Sequence, residues 1–209
     1  GMERTIFGTD QEKPKVLFEG EDMKRTFVWD EDGYNSNPAP IQLEGDYNLD
    51  NIAAAIAVGR FFGVERGDVT ASISNYVPTN NRSQTIKTEF NEILLDAYNA
   101  NPSSMEEALK SFALHKEHPR LAILGDMREL GTHSMHSHSR IVELCHELAL
   151  NAIFVGEAFG EISKDKNTGR FFSSIEELVS EIEGGKIKGE NILLKGSRGM
   201  AMERLLPLL

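Results

Sequence analysis

From residue 84 onward, short apolar runs alternate with segments whose apolar positions recur every three or four residues. Ile93-Leu94-Leu95, Leu121-Ala122-Ile123-Leu124, Ala152-Ile153-Phe154-Val155 and Ile192-Leu193-Leu194 show no polar face, as expected of strands covered on both sides. Strands are therefore expected at 92–96, 121–124, 152–155 and 191–194, with helices over 103–115, 134–150, 174–182 and 200–206. In the first of these helices Met105, Ala108, Leu109 and Phe112 mark one face. The alternation predicts an α/β fold, a Rossmann-like, mostly parallel sheet with helices on both faces and right-handed crossovers. Residues 85–88 are expected to pair with 93–96 as a hairpin across Phe90-Asn91.

The first 80 residues are patterned differently. β-prone pieces at 4–7, 15–18, 26–29 and 41–43 alternate with turn clusters, predicting a small antiparallel sheet with too few large apolar residues to stand alone. An Ala-rich helix is expected over 49–62, with Asn48 or Asp50 as its cap and Gly63 as its stop, and a second over 66–76. The polar break at 78–81 is read as a boundary, giving a β-rich and helical domain over 2–80 and the α/β domain over 81–209.

Composition narrows the function. A length of 209 residues with 40% hydrophobic content supports a real core, and no apolar run approaches the roughly 20 residues that cross a bilayer. The polar amino end is not signal-like, so a cytoplasmic location without membrane insertion is expected, and Gly1 before Met2 is read as an expression remnant. A formal charge of −11 repels nucleic-acid backbones and anionic membranes, so nucleic acid is not an expected partner and anionic ligands depend on local cations. The lone Cys145 falls in a helical apolar pattern and reads as a buried structural thiol.

Three polar motifs follow predicted strands, where an open α/β sheet forms its ligand crevice. Asp96-Ala97-Tyr98-Asn99-Ala100-Asn101-Pro102 delivers a carboxylate to the sheet edge, then offers Asn101 as a helix cap and Pro102 as the first helical residue. On residue chemistry alone, this segment is equally a ligand loop or only a turn and a cap. Gly125-Asp126-Met127-Arg128-Glu129-Leu130-Gly131 is a compact charged loop between glycines, or a solvated connection. Lys195-Gly196-Ser197-Arg198-Gly199-Met200 brings two cations and free backbone N–H groups together as an anion site; its plainer reading pairs the cations with Glu129 or Glu203. Asn48 and Asn51 offer amides suited to an adenine edge, though Asn at a helix start is often only a cap. Arg82, in the interdomain break, suits a nucleotide phosphate or is a solvated linker residue. His133, His136 and His138 have no accompanying ligand set for a metal, and His138 is better read as a helix residue near the crevice.

Together these motifs resemble those of the Mur ligases of peptidoglycan synthesis, within them the ligases that add D-alanyl-D-alanine to a UDP-N-acetylmuramoyl-tripeptide. The segment Asp96 to Met105 is similar to the family's Asp-Ser-Tyr-Asn-Ala-Asn-Pro motif. Leu124-Gly125-Asp126-Met127 with Glu129-Leu130-Gly131 resembles a second signature, and Lys195-Gly196-Ser197-Arg198 with Glu203 a third. The stretch from Gly45 to Ala55 resembles the family's Gly-x-His-Asn-x-x-Asn helix start, with Tyr47 in place of His. The resemblance implies an ATP-dependent ligase working through an acyl phosphate in cell-wall biogenesis, and hence in cell shape and division. By residue-wise carry-over Asn51 contacts adenine beside Asn48, Arg82 the ATP phosphates and Asp96 the ribose. Asn99, Asn101, Asp126, Met127, Glu129, His138, Lys195 and Arg198 shape the dipeptide-facing side, with a cation holding its carboxylate.

Nothing in the chain reads Gly-x-x-x-x-Gly-Lys-Ser/Thr, so the phosphate loop and the ligands of Mg2+ are expected in a part of the enzyme not included here. The chain is accordingly expected to be a carboxy-terminal fragment, a monomer, and inactive alone. A folylpolyglutamate synthase-like ligase and a non-catalytic nucleotide- or peptide-binding module are the alternatives.

Overall fold

A computed structural model of the protein describes residues 14–19, 25–43, 45, 48–79, 81–114, 119–163, 169–183 and 187–209. The chain divides into two compact units, one ending at Val77 and the other beginning at Pro78. Among the described residues no helix is long and apolar enough to cross a membrane.

In the first unit β1 (Lys15–Glu19) and β2 (Thr26–Glu31) pair antiparallel, and β2 also pairs with β3 (Tyr34–Asn35) and β4 (Ala39–Pro40). The β2–β3 turn is Asp32-Gly33, with φ of 49° and 77°, a left-handed pair that matches strand twist and favours Asp-Gly. Helix α1 (Asn48–Phe61) stops as expected at Gly63: Gly63 N–H donates to the Arg60 carbonyl and Val64 N–H to that of Gly59, both at 3.0 Å. That bonding pattern needs the left-handed φ of 79° that Gly63 supplies. Helix α2 (Arg66–Ser74) follows. Phe27, Trp29, Ile41, Ile52, Ile56 and Val69 form the core, and the Trp29 indole donates to Thr70 Oγ1 at 2.9 Å. The strand expected at 41–43 does not form: β4 ends at Pro40, which has no N–H to pair, and beyond it the buried Ile41 makes one backbone bond, to the Arg25 carbonyl at 3.2 Å. The strand expected at 4–7 lies outside the described residues.

The second unit is built on β5 (Gln84–Lys87), β6 (Glu92–Asp96), β7 (Arg120–Gly125), β8 (Asn151–Val155), β9 (Arg170–Phe172) and β10 (Asn191–Lys195), in the order β5-β6-β10-β7-β8-β9. β5 runs antiparallel to β6 as the expected hairpin, and the other pairings are parallel. Side chains alternate across the sheet. Leu94, Ala122, Leu124, Phe154 and Leu193 pack with α3 (Pro102–Phe112), α4 (Ser134–Glu147) and α5 (Glu157–Ser163). Ile93, Leu95, Ile123, Ile153, Val155, Ile192 and Leu194 pack with α6 (Ile175–Ile182) and the carboxy-terminal segment. The strands β6, β7, β8 and β10 are thus apolar on both faces, as their uniform runs require.

Two features depart from expectation. The final helix expected over 200–206 is instead two 3-10 segments, Arg198–Met200 and Met202–Leu208, separated by Ala201 at a φ of 50°. Pro207 removes a backbone donor, and Met202, Leu205 and Leu208 repeat every third residue, the period of a 3-10 helix. Neither α5 nor β9 is foreshadowed by the hydrophobic pattern.

The order of strands makes the crevice. β10 lies between β6 and β7, yet the chain leaves β10 toward one face of the sheet and leaves β6 and β7 toward helices on the other. Where neighbouring connections diverge, the carboxyl ends are left open to a ligand.

Candidate functional site

Because β6 and β10 run parallel in register, their last residues, Asp96 and Lys195, stand side by side. The Lys195 ammonium donates to Asp96 Oδ2 and reaches the Asn99 carbonyl at 3.5 Å, while the Ser83 N–H donates to Asp96 Oδ1 at 3.3 Å. Lys195 is 2% exposed and the Asp96 side chain 15%, so removing the Asp96 charge, which strands the buried ammonium, would cost about 3–5 kcal/mol. Of the two partners that a plain reading of the third motif offers, Glu129 and Glu203, neither is used: Lys195 takes Asp96.

The loop after β6 is ordered by its own polar groups. Asn101 Oδ1 accepts from Ser104 N–H at 2.9 Å and from Ser103 Oγ at 3.0 Å, while Asn101 N–H donates to Ser104 Oγ at 3.2 Å. This reciprocal capping box, with Pro102 at the first helical position, bears out the cap expected there. Asn99 is exposed, and its Oδ1 accepts from the Ala100 N–H at 2.9 Å. Between them Tyr98 meets two arginines: Arg82 Cζ lies 3.7 Å and Arg198 Cζ 5.2 Å from its ring centre. Hydrogen bonding and charge from Arg82, then charge from Arg198, hold the Tyr98 phenol below its usual pKa.

The loop after β7 works largely inward. Asp126 accepts from the Ala158 and Phe159 N–H groups at 3.0 and 3.1 Å, capping α5 from a distant part of the chain. Gly156, at a φ of 129°, makes room for it, since a Cβ there would lie 2.2 Å from the Asp126 carboxyl carbon. Met127 is buried, and its N–H donates to His138 Nε2 at 3.0 Å. His138 Nδ1 lies 2.8 Å from the Ser134 carbonyl, which needs a donor, so the bonding assigns the proton to Nδ1 and makes the ring neutral. Asp126 Oδ1, 3.6 Å from the unprotonated Nε2, is therefore no ion-pair partner. His138 is fully buried, edge-on to Phe159 at 4.6 Å, so it supports the loop from beneath. Glu129 is exposed at a φ of 66°.

Ser197 joins these loops, and no charge or spacing in the sequence singles it out. Its Oγ accepts from Arg128 N–H at 2.8 Å and donates to the Ala100 carbonyl at 3.4 Å, while its N–H donates to the Asp126 carbonyl at 3.2 Å. The signal available was a hydroxyl directly after Gly196, in a short segment with a second glycine at 199. A Cβ on Gly196 would fall 2.9 Å from Met202 and 3.1 Å from the Gly125 Cα, so the β7 and β10 ends approach backbone to backbone.

In the first unit Asn48 is buried and its Oδ1 accepts from the exposed Asn51 Nδ2 at 3.0 Å, which orients the Asn51 amide. Asp46 and Tyr47 lie outside the described residues.

Known proteins match this arrangement. The UDP-N-acetylmuramoyl-tripeptide–D-alanyl-D-alanine ligase of Treponema pallidum is 32% identical over 176 residues, 81% of this chain and 38% of the relative. The Bacillus subtilis protein of the same name is 29% identical over 174 residues, 79% of this chain and 38% of the relative. A crystal structure of MurF from Acinetobacter baumannii superposes with a TM-score of 0.77 at 25% identity, covering 92% of this chain and 44% of that one. The chain thus spans well under half the length of these relatives. The family described as "Mur ligase, glutamate ligase domain" matches residues 81–198, which include both strand-end loops and the Asp96–Lys195 pair. With more than half of its residues in that match, the chain belongs to the Mur ligase family.

Proposed function

We propose that this chain is the carboxy-terminal part of an ATP-dependent amide-bond ligase that joins D-alanyl-D-alanine to UDP-N-acetylmuramoyl-tripeptide in the cytoplasm. Residues 2–80 correspond to the end of the central ATPase domain and 81–209 to the ligase domain. One observation carries this reading: the three strand-end motifs meet at one sheet edge around a buried Asp96–Lys195 pair, tied by Ser197.

The residues suit the ligands. Asp96 is a carboxylate at a strand end, able to accept from ribose hydroxyls, and Arg82 has N–H donors for phosphate. The Asn51 amide, oriented by Asn48, fits an adenine edge. ATP supplies the phosphoryl group that turns an unreactive carboxylate into an acyl phosphate. Among the described residues no three metal-ligating side chains come together, so Mg2+ would be held by the phosphates and by groups elsewhere in the enzyme. Of the two cations after β10, Arg198 is exposed and stands where the phosphate and dipeptide sides join, whereas Lys195 reaches a ligand carboxylate only by leaving Asp96. Asn99, Asn101, Met127 and Glu129 shape the rim. Asp126 and His138 act one layer below it, through α5 and the Met127 N–H.

The test is turnover by the longer enzyme that contains this chain. Release of ADP should require both UDP-N-acetylmuramoyl-tripeptide and D-alanyl-D-alanine, and the 209-residue chain alone should release none. Turnover with glutamate in place of the dipeptide, or by the chain alone, overturns the proposal.

A further inference from the structure

Arg82 precedes β5 and Arg198 follows β10, yet both stack on Tyr98, from a third loop. Both arginines are exposed, and among the described residues neither has a carboxylate within ion-pair distance. Acidic side chains outnumber Lys and Arg by 33 to 22 in this chain, and several other arginines do find one. Arg60 meets Glu31, Arg140 meets Glu147, Arg170 meets Glu181 and Arg204 meets Glu176.

We infer that Tyr98 is a positioning residue, whose ring holds the Arg82 and Arg198 guanidiniums together as one preformed site for a phosphate-type oxyanion. The ring attracts each guanidinium through its π face, and the phenol oxygen accepts hydrogen bonding from both, which engages only part of each five-donor fork. Contact with Tyr98 therefore fixes the two cations while leaving most of their forked donors for oxygen atoms from outside. A carboxylate in the ring's place would have consumed those donors. The ring also offsets the repulsion between the two like charges, which otherwise drives long exposed side chains apart. Its own position is set by the loop: Ala97 and Ala100 are each 2% exposed, and the Asn99 side chain closes a turn onto the Ala100 N–H. The lowered phenol pKa agrees, since both guanidiniums act on the same hydroxyl. The inference rests on the ligase reading only for the identity of the natural anion.

The test uses the 209-residue chain with Tyr98→Phe and Tyr98→Leu. Without ligand, 15N relaxation of the arginine Nε–H groups should show Arg82 and Arg198 ordered in the parent and in Tyr98→Phe, and mobile in Tyr98→Leu. Inorganic pyrophosphate is the probe for binding. Its affinity should fall roughly fivefold to tenfold in Tyr98→Leu, the loss of two exposed cation–π contacts, and stay within about twofold in Tyr98→Phe. Unchanged order or unchanged affinity in Tyr98→Leu overturns the inference, as does the absence of pyrophosphate binding in the parent. Should Tyr98→Leu fail to fold, Arg82→Met decides: it should leave Arg198 ordered and weaken pyrophosphate at least fivefold, and full affinity overturns the shared site. None of these measurements depends on turnover, so failure of the ligase reading leaves their meaning intact.

Discussion

Ser197 shows how much one hydroxyl can organise. Its Oγ and N–H together bond to the loops after β6 and after β7, both of which carry candidate ligand groups. Replacing it with Ala removes two hydrogen bonds in a buried position, so Ser197→Ala should lower unfolding free energy by about 1–2 kcal/mol in urea. The Arg128 amide should also exchange hydrogen faster than its neighbours. Legibility at this scale follows distance along the chain. Asn101 and Pro102 were readable as cap and first helical residue because their partners, Ser103 and Ser104, are adjacent. Ser197 and His138 were not, because a hydroxyl or imidazole acquires its role from groups that only folding brings near. Its helical position reads His138 as a residue near the crevice, and its ring nitrogens bond to Met127 and Ser134.

At the scale of elements, the sheet strands and the helices α3, α4 and α6 were legible because each buries a continuous run or a clear stripe. The misses have local causes. Helix α5 has only Phe159 and Ile162 in the core and depends on the Asp126 carboxylate for its amino end, so its own sequence carries little helical pattern. Strand β9 is three residues long, too short for periodicity to register. The carboxy-terminal segment has apolar spacing compatible with two helix types, and Pro207 selects the tighter one. Helix α4 gives a chemical test of its buried face. Burial pushes the Cys145 thiol up to about 12, so thiol reagents at pH 8 should label it only at the rate of unfolding. Because the folded thiol keeps its proton when the unfolded one has lost it, this contribution to stability is complete below the ordinary thiol pKa of about 8.5. It should decline as pH rises from there toward about 12, and denaturant midpoints measured across that range will show the slope.

At the scale of the molecule, three cations gather at one sheet edge. With a formal charge of −11, an anionic ligand would be repelled by most of the surface, yet Lys195 and Arg198 follow one another at a single strand end with Arg82 nearby on Tyr98. Energetic weight in the second unit is concentrated in the same strand. All five residues of β10 are buried, and Leu193 is fully enclosed between β6 and β7. Leu193→Ala should cost about 2–5 kcal/mol, whereas Ile86→Ala on the edge strand β5, where the side chain is only partly buried, should cost less. Equilibrium unfolding of both variants checks the contrast. The place of β10 also bears on how the protein is made. Strands β6 and β7 leave the ribosome long before residues 191–195, so each waits with its inner edge unpaired until the strand that joins them arrives. Open edges of this kind recruit other chains, and a nascent polypeptide stalled anywhere before Asn191 should therefore be prone to aggregate and dependent on chaperones.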